Sequence, residues 1–336
     1  MLVEESRDSV AIGATLSASM TGWSATDPGR ASIASAIEAI AGAARQISEI
    51  ISAGPLAGAL GDEMGGANAD GDRQRRLDVV AHDFILDALR ATATAFLASE
   101  EEEEILVVDP AGDLAIAVDP LDGSSNIDAN ISIGTIFSIH RASTQGPTAS
   151  FFRPGSEQLA AGYVVYGPHT ALVLTVGEGV DLFVLDPGSG AFRLVAARLA
   201  IPKSTKEFAI NASNARHWRA PVRTFIDDCL AGAVGPRQKD FNMRWVASLV
   251  AEAHRIFMRG GVFLYPADDR PGYERGRLRL VYEAQPIALL VEQAGGAATD
   301  GLMRILDKIP AGLHERTPLV FGSIEKVARI ADYHKP

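Results

Sequence analysis

The sequence predicts an α/β fold of the α+β type, built in layers and divided into two lobes. Apolar residues recur at helical intervals in some segments, such as 31–52, and form strand-like runs in others. The two kinds of segment mix along the whole chain without an internal repeat. Polar residues and proline interrupt the pattern near Pro202. We therefore expect an N-terminal lobe over residues 1–201 and a C-terminal lobe over residues 202–336.

The individual elements can be placed from the apolar pattern. The first helix is amphipathic because its isoleucines fall at helical spacing, and a glycine-rich loop at 54–72 follows it. We expect helices at 31–52, 77–99, 220–230, 244–258 and 282–295, and a last helix after residue 323. We expect strands at 105–109, 113–119, 134–140, 160–167, 171–177, 182–186, 208–211, 260–266 and 318–323.

Composition limits the kinds of partner this chain can have. With 336 residues, 47% of them hydrophobic, it can bury a large core. A net charge of −11 argues against binding to nucleic acid or to an anionic membrane. A small anionic ligand would need local positive charge or metal ions, and the acidic excess favours metal ions. Cys229 is the only cysteine, which excludes an intrachain disulfide and fits a reducing cytoplasm. An acidic N-terminus and the lack of a long apolar run predict neither export nor membrane anchoring.

Two acidic motifs stand out, and each has an ordinary interpretation when taken alone. The run "SEEEEE" at 99–104 is typical of a solvated turn, and "DPLDG" at 119–123 of a turn with capping aspartates. One short β-segment, 105–118, joins them and could return both acid clusters to the same edge of a sheet. Together they therefore favour a site that uses carboxylates.

The stretch "VDPLDGSSNID" combines acids with small residues that expose the backbone. One tight turn would aim Asp119 and Asp122 inward, with the carbonyl of Leu121 as a further oxygen ligand for Mg²⁺. If a helical turn begins after Gly123, its first N–H groups are unpaired and can bind an anion. The sequence thus predicts a phosphate site built beside a metal site.

Several further segments give the chain a family resemblance. Taken in chain order, "GDRQRRLD", "SEE", "DPLDGSSNID", "GGVFLYP" and "LRLVYEAQP" resemble signature segments of the class I fructose-1,6-bisphosphatases, over nearly the whole chain. That family belongs to the lithium-sensitive sugar-phosphatase superfamily. The resemblance implies the layered sugar-phosphatase fold, Mg²⁺ dependence with Mn²⁺ as a substitute, and a homotetramer. It also implies hydrolysis of the 1-phosphate of fructose 1,6-bisphosphate, in gluconeogenesis or in carbon fixation.

The resemblance assigns roles to residues that the pattern alone leaves unassigned. It implies two or three Mg²⁺ ions bound by Glu100, Glu101, Asp119, Asp122, Glu283 and the carbonyl of Leu121. Glu101, assisted by Asp78, would take a proton from the attacking water, with Asp72 as a further supporting acid. The substrate would contact Gly123, Ser124, Ser125, Asn211, Arg244, Trp245, Tyr265 and Arg277, with Arg244 reaching across a subunit interface.

Three positions depart from the better-known pattern of the family. Trp245 and Arg277 replace a tyrosine and a phosphate-binding lysine, and Asn214 stands where a tyrosine is usual. Arginine keeps the charge and adds a bidentate fork, so phosphate binding should persist. The three departures bear on fine substrate preference. The closer alternative is sedoheptulose 1,7-bisphosphate as the main or a second substrate, since the resemblance fits an enzyme of both gluconeogenesis and carbon fixation. An inositol or nucleotide phosphatase would share the metal motif but lack the signature segments of the second lobe. A catalytically inactive sugar-phosphate sensor would be free to lose the acids at the metal positions, and here those acids are all present.

Regulation by AMP is expected to be weak or absent. In family members that respond to AMP, a Lys-Tyr pair on the strand before the metal motif binds its phosphate, with an N-terminal Thr-Gly-Glu turn and a downstream arginine. Here the pair reads Asp113 and Leu114, no Thr-Gly-Glu occurs in the first forty residues, and only Arg141 has a counterpart. A carboxylate at the phosphate position would repel the nucleotide.

Overall fold

The structure is a computed structural model that describes residues 11–25, 27–58, 61–67 and 73–335. Within these ranges the helices are α1 (Leu16–Ser24), α2 (Pro28–Ala53), α3 (Arg76–Leu89), α4 (Pro147–Phe151), α5 (Ala220–Leu230), α6 (Leu249–Arg259), α7 (Gln285–Gln293) and α8 (Ile324–Tyr333).

The strands in the same ranges form two larger sheets and two separate two-stranded pairs. They are β1 (Glu63–Ala67), β2 (Arg73–Arg75), β3 (Thr94–Ser99), β4 (Leu106–Val107), β5 (Leu114–Asp122), β6 (Ile133–Arg141), β7 (Ala160–Tyr166), β8 (Thr170–Thr175), β9 (Val180–Leu185), β10 (Phe192–Ala196), β11 (Glu207–Ala209), β12 (Asn242–Met243), β13 (Val262–Tyr265), β14 (Leu278–Arg279), β15 (Ala297–Thr299), β16 (Arg316–Thr317) and β17 (Leu319–Gly322). The separate pairs are β1 with β2 and β14 with β16.

Two sheets form the framework. The larger has eight strands in the order β10-β9-β8-β7-β6-β5-β3-β4, and all neighbours are antiparallel except β3 and β5, which run parallel. The smaller has five strands in the order β12-β11-β13-β17-β15. The larger sheet lies entirely before residue 197 and the smaller entirely after residue 206.

Helices fill the space on both faces of each sheet, which gives five layers. Helices α1 to α3 pack with one face of the large sheet, α6 and α7 lie between the two sheets, and α5 and α8 cover the outer face of the small sheet. The side chains of β7 alternate between the two faces of the large sheet, and both faces are buried. Val164 packs on the side of α1 to α3, whereas Tyr163 and Val165 pack on the side of α6 and α7. Because α7 is sandwiched between sheets, it is apolar nearly all round. The layered α/β prediction is confirmed.

The helix expected at 77–99 is wrong in its second half. Helix α3 ends at Leu89, where the hydroxyl of Thr92 donates to the Leu89 carbonyl at 2.7 Å, and β3 follows. The alanine-rich stretch before Ser99 suits either structure, and its pairing with both β4 and β5 decides for a strand.

The helix expected at 244–258 begins later, at Leu249. Ser248 caps it by accepting from the N–H of Ala251, and Ala247 takes a positive φ of 63°, so the preceding residues form an irregular segment. The glycine-rich stretch expected to be a loop contains β1, and α1, β10 and β15 were not predicted. Within the described ranges, no helix has both the length and the apolar character needed to cross a membrane.

Candidate active site

The parallel pairing of β3 and β5 brings the two acidic motifs together. Ser99 lies opposite Val118, and the N–H of Glu100 donates to the carbonyl of Val118 at 3.0 Å. Glu100 and Glu101 therefore leave β3 at the same edge where β5 carries Asp119. The chain between β3 and β5 contains only β4, an edge strand of two residues, so the connection between the two acidic motifs is short.

A third acidic segment reaches this edge from the C-terminal part of the chain. Residues 280–284 form one π-helical turn before α7, and this turn places Glu283 beside the strand acids. Carboxylate oxygens of Asp119, Asp122 and Glu283 lie within 4.8 Å of one another, and all three residues are buried, at most 7% exposed. Three buried acids at this spacing have the all-oxygen donor set that suits a hard divalent cation.

Backbone N–H groups hold each of these carboxylates in place. Asp119 Oδ1 accepts from the N–H of Leu121 at 3.0 Å, and Asp122 Oδ2 accepts from the N–H of Val250 at 3.0 Å. The N–H of Arg279 donates to Glu283 Oε2. One oxygen of each acid is thus fixed by the backbone, so the side chain is oriented before any ion binds.

Burial and mutual repulsion raise the pKa values of the cluster. Burial, then Glu100, Asp122 and Glu283, raise the pKa of Asp119 well above its ordinary range. Burial, then Glu100 and Asp122, do the same for the pKa of Glu283. Burial raises the pKa of Asp122 to about 6, although N–H groups of α6 oppose the shift. A divalent cation bound among these carboxyl groups would favour their ionised form and so lower their pKa values.

Asp78 lies at the start of α3, next to the cluster. It is 3% exposed, and its Oδ2 accepts from the N–H of Arg75 at 2.7 Å. Burial raises its pKa to about 7, the N–H of Arg75 opposes this shift, and the charge of Glu101 adds to it. A carboxyl group with a pKa near neutrality can accept a proton at physiological pH.

A short turn after β5 offers N–H donors beside the acids. Gly123 has a φ of 80°, which favours glycine, and a 3₁₀ turn over Ser124–Asn126 follows it. The side chain of Asn126 donates to the carbonyl of Ala247 at 2.8 Å, which ties the turn to the segment before α6. The turn therefore has a fixed position relative to both sheets.

One cavity of about 530 Å³ connects these groups. Most of the residues singled out from the sequence line it, namely Asp78, Glu100, Glu101, Asp119, Leu121, Asp122, Gly123, Ser124, Ser125, Asn211, Trp245, Tyr265, Arg277 and Glu283. Arg244 is not among the lining residues, and Asp72 lies outside the described residues. The far wall carries a stack of aromatic rings, with Trp245 and Tyr265 each about parallel to Phe263 at 5.8 and 6.2 Å between ring centres.

Arg244 points instead toward a buried ion-pair network. Its Nε lies 3.6 Å from Glu207 Oε1, and its side chain is half exposed. Glu207 also pairs with Arg255 at 2.8 Å, and Arg255 pairs with Glu252 at 2.8 Å. Within this subunit the side chain of Arg244 is thus engaged away from the cavity.

Three residues near the site were missed from the sequence. Arg75 and Arg279 line the cavity, and Arg279 is buried with its Nε 3.7 Å from Glu100 Oε1. Both lie inside motifs that were noticed for their acids. Glu252, fully buried, accepts from the N–H of Val246 at 2.6 Å and so holds the segment that carries Trp245. A glutamate in the first turn of a helix resembles an ordinary dipole partner, so no sequence signal distinguished it.

The raised pKa values predict how stability depends on pH when no divalent cation is present. Because the folded state holds these protons more tightly than the unfolded chain, the acids stabilise the fold at low pH. That contribution is lost as the pH rises from about 4 through about 7. Bound Mg²⁺ should remove the loss, so it should stabilise the protein more at pH 8 than at pH 5.

Urea unfolding at several pH values, in chelator and in excess Mg²⁺, measures this effect. Burial lowers the pKa values of His140 and His254, and these groups act in the opposite direction. The comparison with an Asp119→Ala variant therefore isolates the acids, and its pH dependence should be smaller. Equal pH dependence in both proteins would contradict the prediction.

The layered fold and the acidic cavity agree with what comparison with known proteins shows. A family model for the N-terminal domain of fructose-1-6-bisphosphatase matches residues 15–197, and one for its C-terminal domain matches residues 201–335. The chain belongs to the fructose-1,6-bisphosphatase family.

Individual relatives agree along nearly the full chain. A class 1 fructose-1,6-bisphosphatase of Rhodopseudomonas palustris (strain BisB18) is 54% identical over 322 residues, which cover 96% of this chain and 93% of the relative. One from Paracoccus denitrificans (strain Pd 1222) is 57% identical over 300 residues, 89% of each chain. The crystal structure of Leishmania major fructose-1,6-bisphosphatase in holo form superposes with a TM-score of 0.88 at 35% identity, over 96% of this chain and 99% of that one.

Proposed function

We propose that this protein hydrolyses the 1-phosphate of fructose 1,6-bisphosphate to give fructose 6-phosphate and phosphate. The observation that carries the proposal is the single cavity that contains the carboxylate cluster, the turn after Gly123 and the cationic side chain of Arg277. A sugar with phosphates at both ends needs a reactive site and a distant anion site in one pocket. Family membership supports the same substrate.

Magnesium is the cofactor we propose, at two to three ions per subunit, with Mn²⁺ as a substitute. The donor set fits, because every side chain in the cluster offers carboxylate oxygen and the three buried acids already lie within 4.8 Å. The proposed ligands are Glu100, Glu101, Asp119, Asp122 and Glu283 together with the carbonyl of Leu121. When bound, the ions neutralise phosphate charge, stabilise the leaving oxygen and make a water molecule more acidic.

The chain's own groups then bind the phosphate and move a proton. N–H groups of the turn from Gly123 to Ser125 would donate hydrogen bonds to the phosphate oxygens, since the φ of Gly123 leaves the backbone open to close approach. Glu101, assisted by Asp78, would take the proton of the attacking water. Oδ2 of Asp78 already accepts from the N–H of Arg75. Oδ1 is therefore the atom of Asp78 that we expect to carry a proton when this carboxyl group assists Glu101.

Phosphate release tests the proposal directly. We expect release from fructose 1,6-bisphosphate in Mg²⁺ and none in chelator, with fructose 6-phosphate as the product. Sedoheptulose 1,7-bisphosphate should be assayed in parallel, because Trp245 and Arg277, which depart from the family pattern, both line the cavity. A much higher kcat/KM for the seven-carbon substrate would make it the main substrate, and no release from either would refute the proposal.

The contact between α2 and the residue before β5 leads to a prediction about inhibition. Asp113 is bound there by the guanidinium of Arg141 and by the hydroxyl of Ser32 at 3.2 Å. The arginine that would bind a nucleotide phosphate is therefore already neutralised by a carboxylate of the same chain. We expect millimolar or weaker inhibition by AMP in a Mg²⁺-saturated assay at subsaturating substrate. Micromolar inhibition that does not compete with substrate would contradict this prediction.

Other features of the family extend the proposal. We propose a homotetramer in the cytoplasm, acting in gluconeogenesis or carbon fixation, with lobes at 1–201 and 202–336. The orientation of Arg244 away from its own cavity is compatible with a role across a subunit interface. Gel filtration with light scattering tests the oligomer.

A further inference from the structure

One tyrosine ring beside the cavity contacts two guanidinium groups. Cζ of Arg270 lies 4.0 Å from the centre of the Tyr273 ring, and Cζ of Arg277 lies 4.7 Å from it. Both distances are within the range of cation–π contacts. The sequence analysis gave Tyr273 no role, although it lies four residues before a residue that lines the cavity.

Two successive turns bring these side chains together. The N–H of Tyr273 donates to the carbonyl of Arg270 at 2.9 Å, and the N–H of Gly276 donates to the carbonyl of Tyr273 at 3.0 Å. Gly276 has a φ of 82°, and a Cβ there would lie 2.4 Å from the backbone N of Pro318. The backbone at Gly276 therefore packs closely against the backbone at Pro318, which follows β16. This close packing limits how far the segment before Arg277 can shift.

The two arginines differ in what else they contact. Arg270 is held by Asp268, whose carboxylate accepts from Nε at 3.0 Å and also from Nη2. Arg277 lines the cavity, and none of the ion pairs seen between described side chains involves it. Of the two, Arg277 has the charge that is available to a ligand.

We propose that Tyr273 is a positioning residue, whose ring holds the guanidinium of Arg277 toward the uncleaved phosphate of the substrate. The proposal rests on the proposed function, in which Arg277 binds that phosphate. An arginine side chain is long and loses rotamer freedom when it binds. A ring that contacts its face reduces this cost and leaves the in-plane N–H donors for the phosphate oxygens.

Kinetics of substituted proteins test this inference. In Tyr273→Leu and Tyr273→Met, which keep bulk but lose the ring, we expect KM for fructose 1,6-bisphosphate to rise about three- to tenfold. The value of kcat should stay within about twofold. Tyr273→Phe keeps the ring and should behave like the unsubstituted protein. Glu274→Ala, an exposed neighbour, is the matched control and should change neither constant.

Two further measurements separate positioning from a general structural role. Hydrolysis of p-nitrophenyl phosphate, which lacks a second phosphate, should be unaffected by Tyr273→Leu. Adding Tyr273→Leu to Arg277→Ala should raise KM no further. A raised KM in Arg277→Ala with an unchanged KM in Tyr273→Leu would overturn this inference and leave the proposed function intact. An unchanged KM in both variants would overturn the inference together with the distal phosphate site.

Discussion

Asp119→Ala should lower kcat by at least about a hundredfold while leaving the fold intact. The side chain belongs to the acid cluster, and its loss would remove one of the proposed oxygen ligands of the metal ions that stabilise transition-state charge. Removing one acid also relieves repulsion among buried carboxylates. The metal-free variant should therefore unfold at the same temperature as the unsubstituted protein or at a higher one.

Steady-state phosphate release and thermal unfolding, measured on the same preparations, test both parts. Asp87→Ala is a suitable control because that carboxylate is exposed on α3 and pairs only loosely with Arg90, at 3.3 Å. Glu101→Ala should reproduce the loss of turnover. If Asp119→Ala and Glu101→Ala both retain more than about a tenth of the activity, the assignment of the metal ligands is wrong.

Arg277→Ala should raise KM for fructose 1,6-bisphosphate at least about tenfold and lower kcat much less. The phosphate it is proposed to bind stays attached throughout the reaction. Its loss should therefore weaken ground state and transition state alike. A charged, bidentate contact to phosphate is strong enough for an effect of this size.

Arg275→Ala provides the matched control for this experiment. Arg275 is exposed, carries the same charge two residues earlier, and lines a different cavity. It should leave KM nearly unchanged, which separates a local contact from a general loss of positive charge. An unchanged KM in Arg277→Ala would place the distal phosphate elsewhere in the cavity.

Much of the fold could be predicted from the sequence because many helices and strands have a clear periodicity of apolar residues. Helix α2 was predicted from isoleucine spacing, and α5 from its apolar periodicity. Strand β3 was taken for the end of a helix because its residues suit both structures, and only pairing with a distant segment decides between them. The start of α6 was missed because Trp245, apolar in the pattern, stacks on Phe263 instead of continuing the helix.

The site was predictable only in part, for a related reason. Asp119 and Asp122 share one motif, and a short connection joins it to Glu100 and Glu101, so their proximity follows from local sequence. The approach of Glu283 requires the packing of α7 between two sheets, which no local pattern contains. Its candidacy came from the family resemblance, and Glu252 had no comparable signal.

The position of the acid cluster at the boundary between the two sheets has a mechanical consequence. Asp119 belongs to the large sheet, whereas Glu283 leads into the helix packed between the sheets, and Asp122 is bonded to the backbone of α6. If a metal ion binds these three side chains as proposed, it links the large sheet to the helices packed between the sheets. Its binding would then stabilise the packing of these layers in addition to supporting turnover. Removal of the ion by a chelator should therefore weaken the packing between the large sheet and the central helices as well as stop turnover. Amide exchange at the N–H of Val250 would register that loosening with no substrate present.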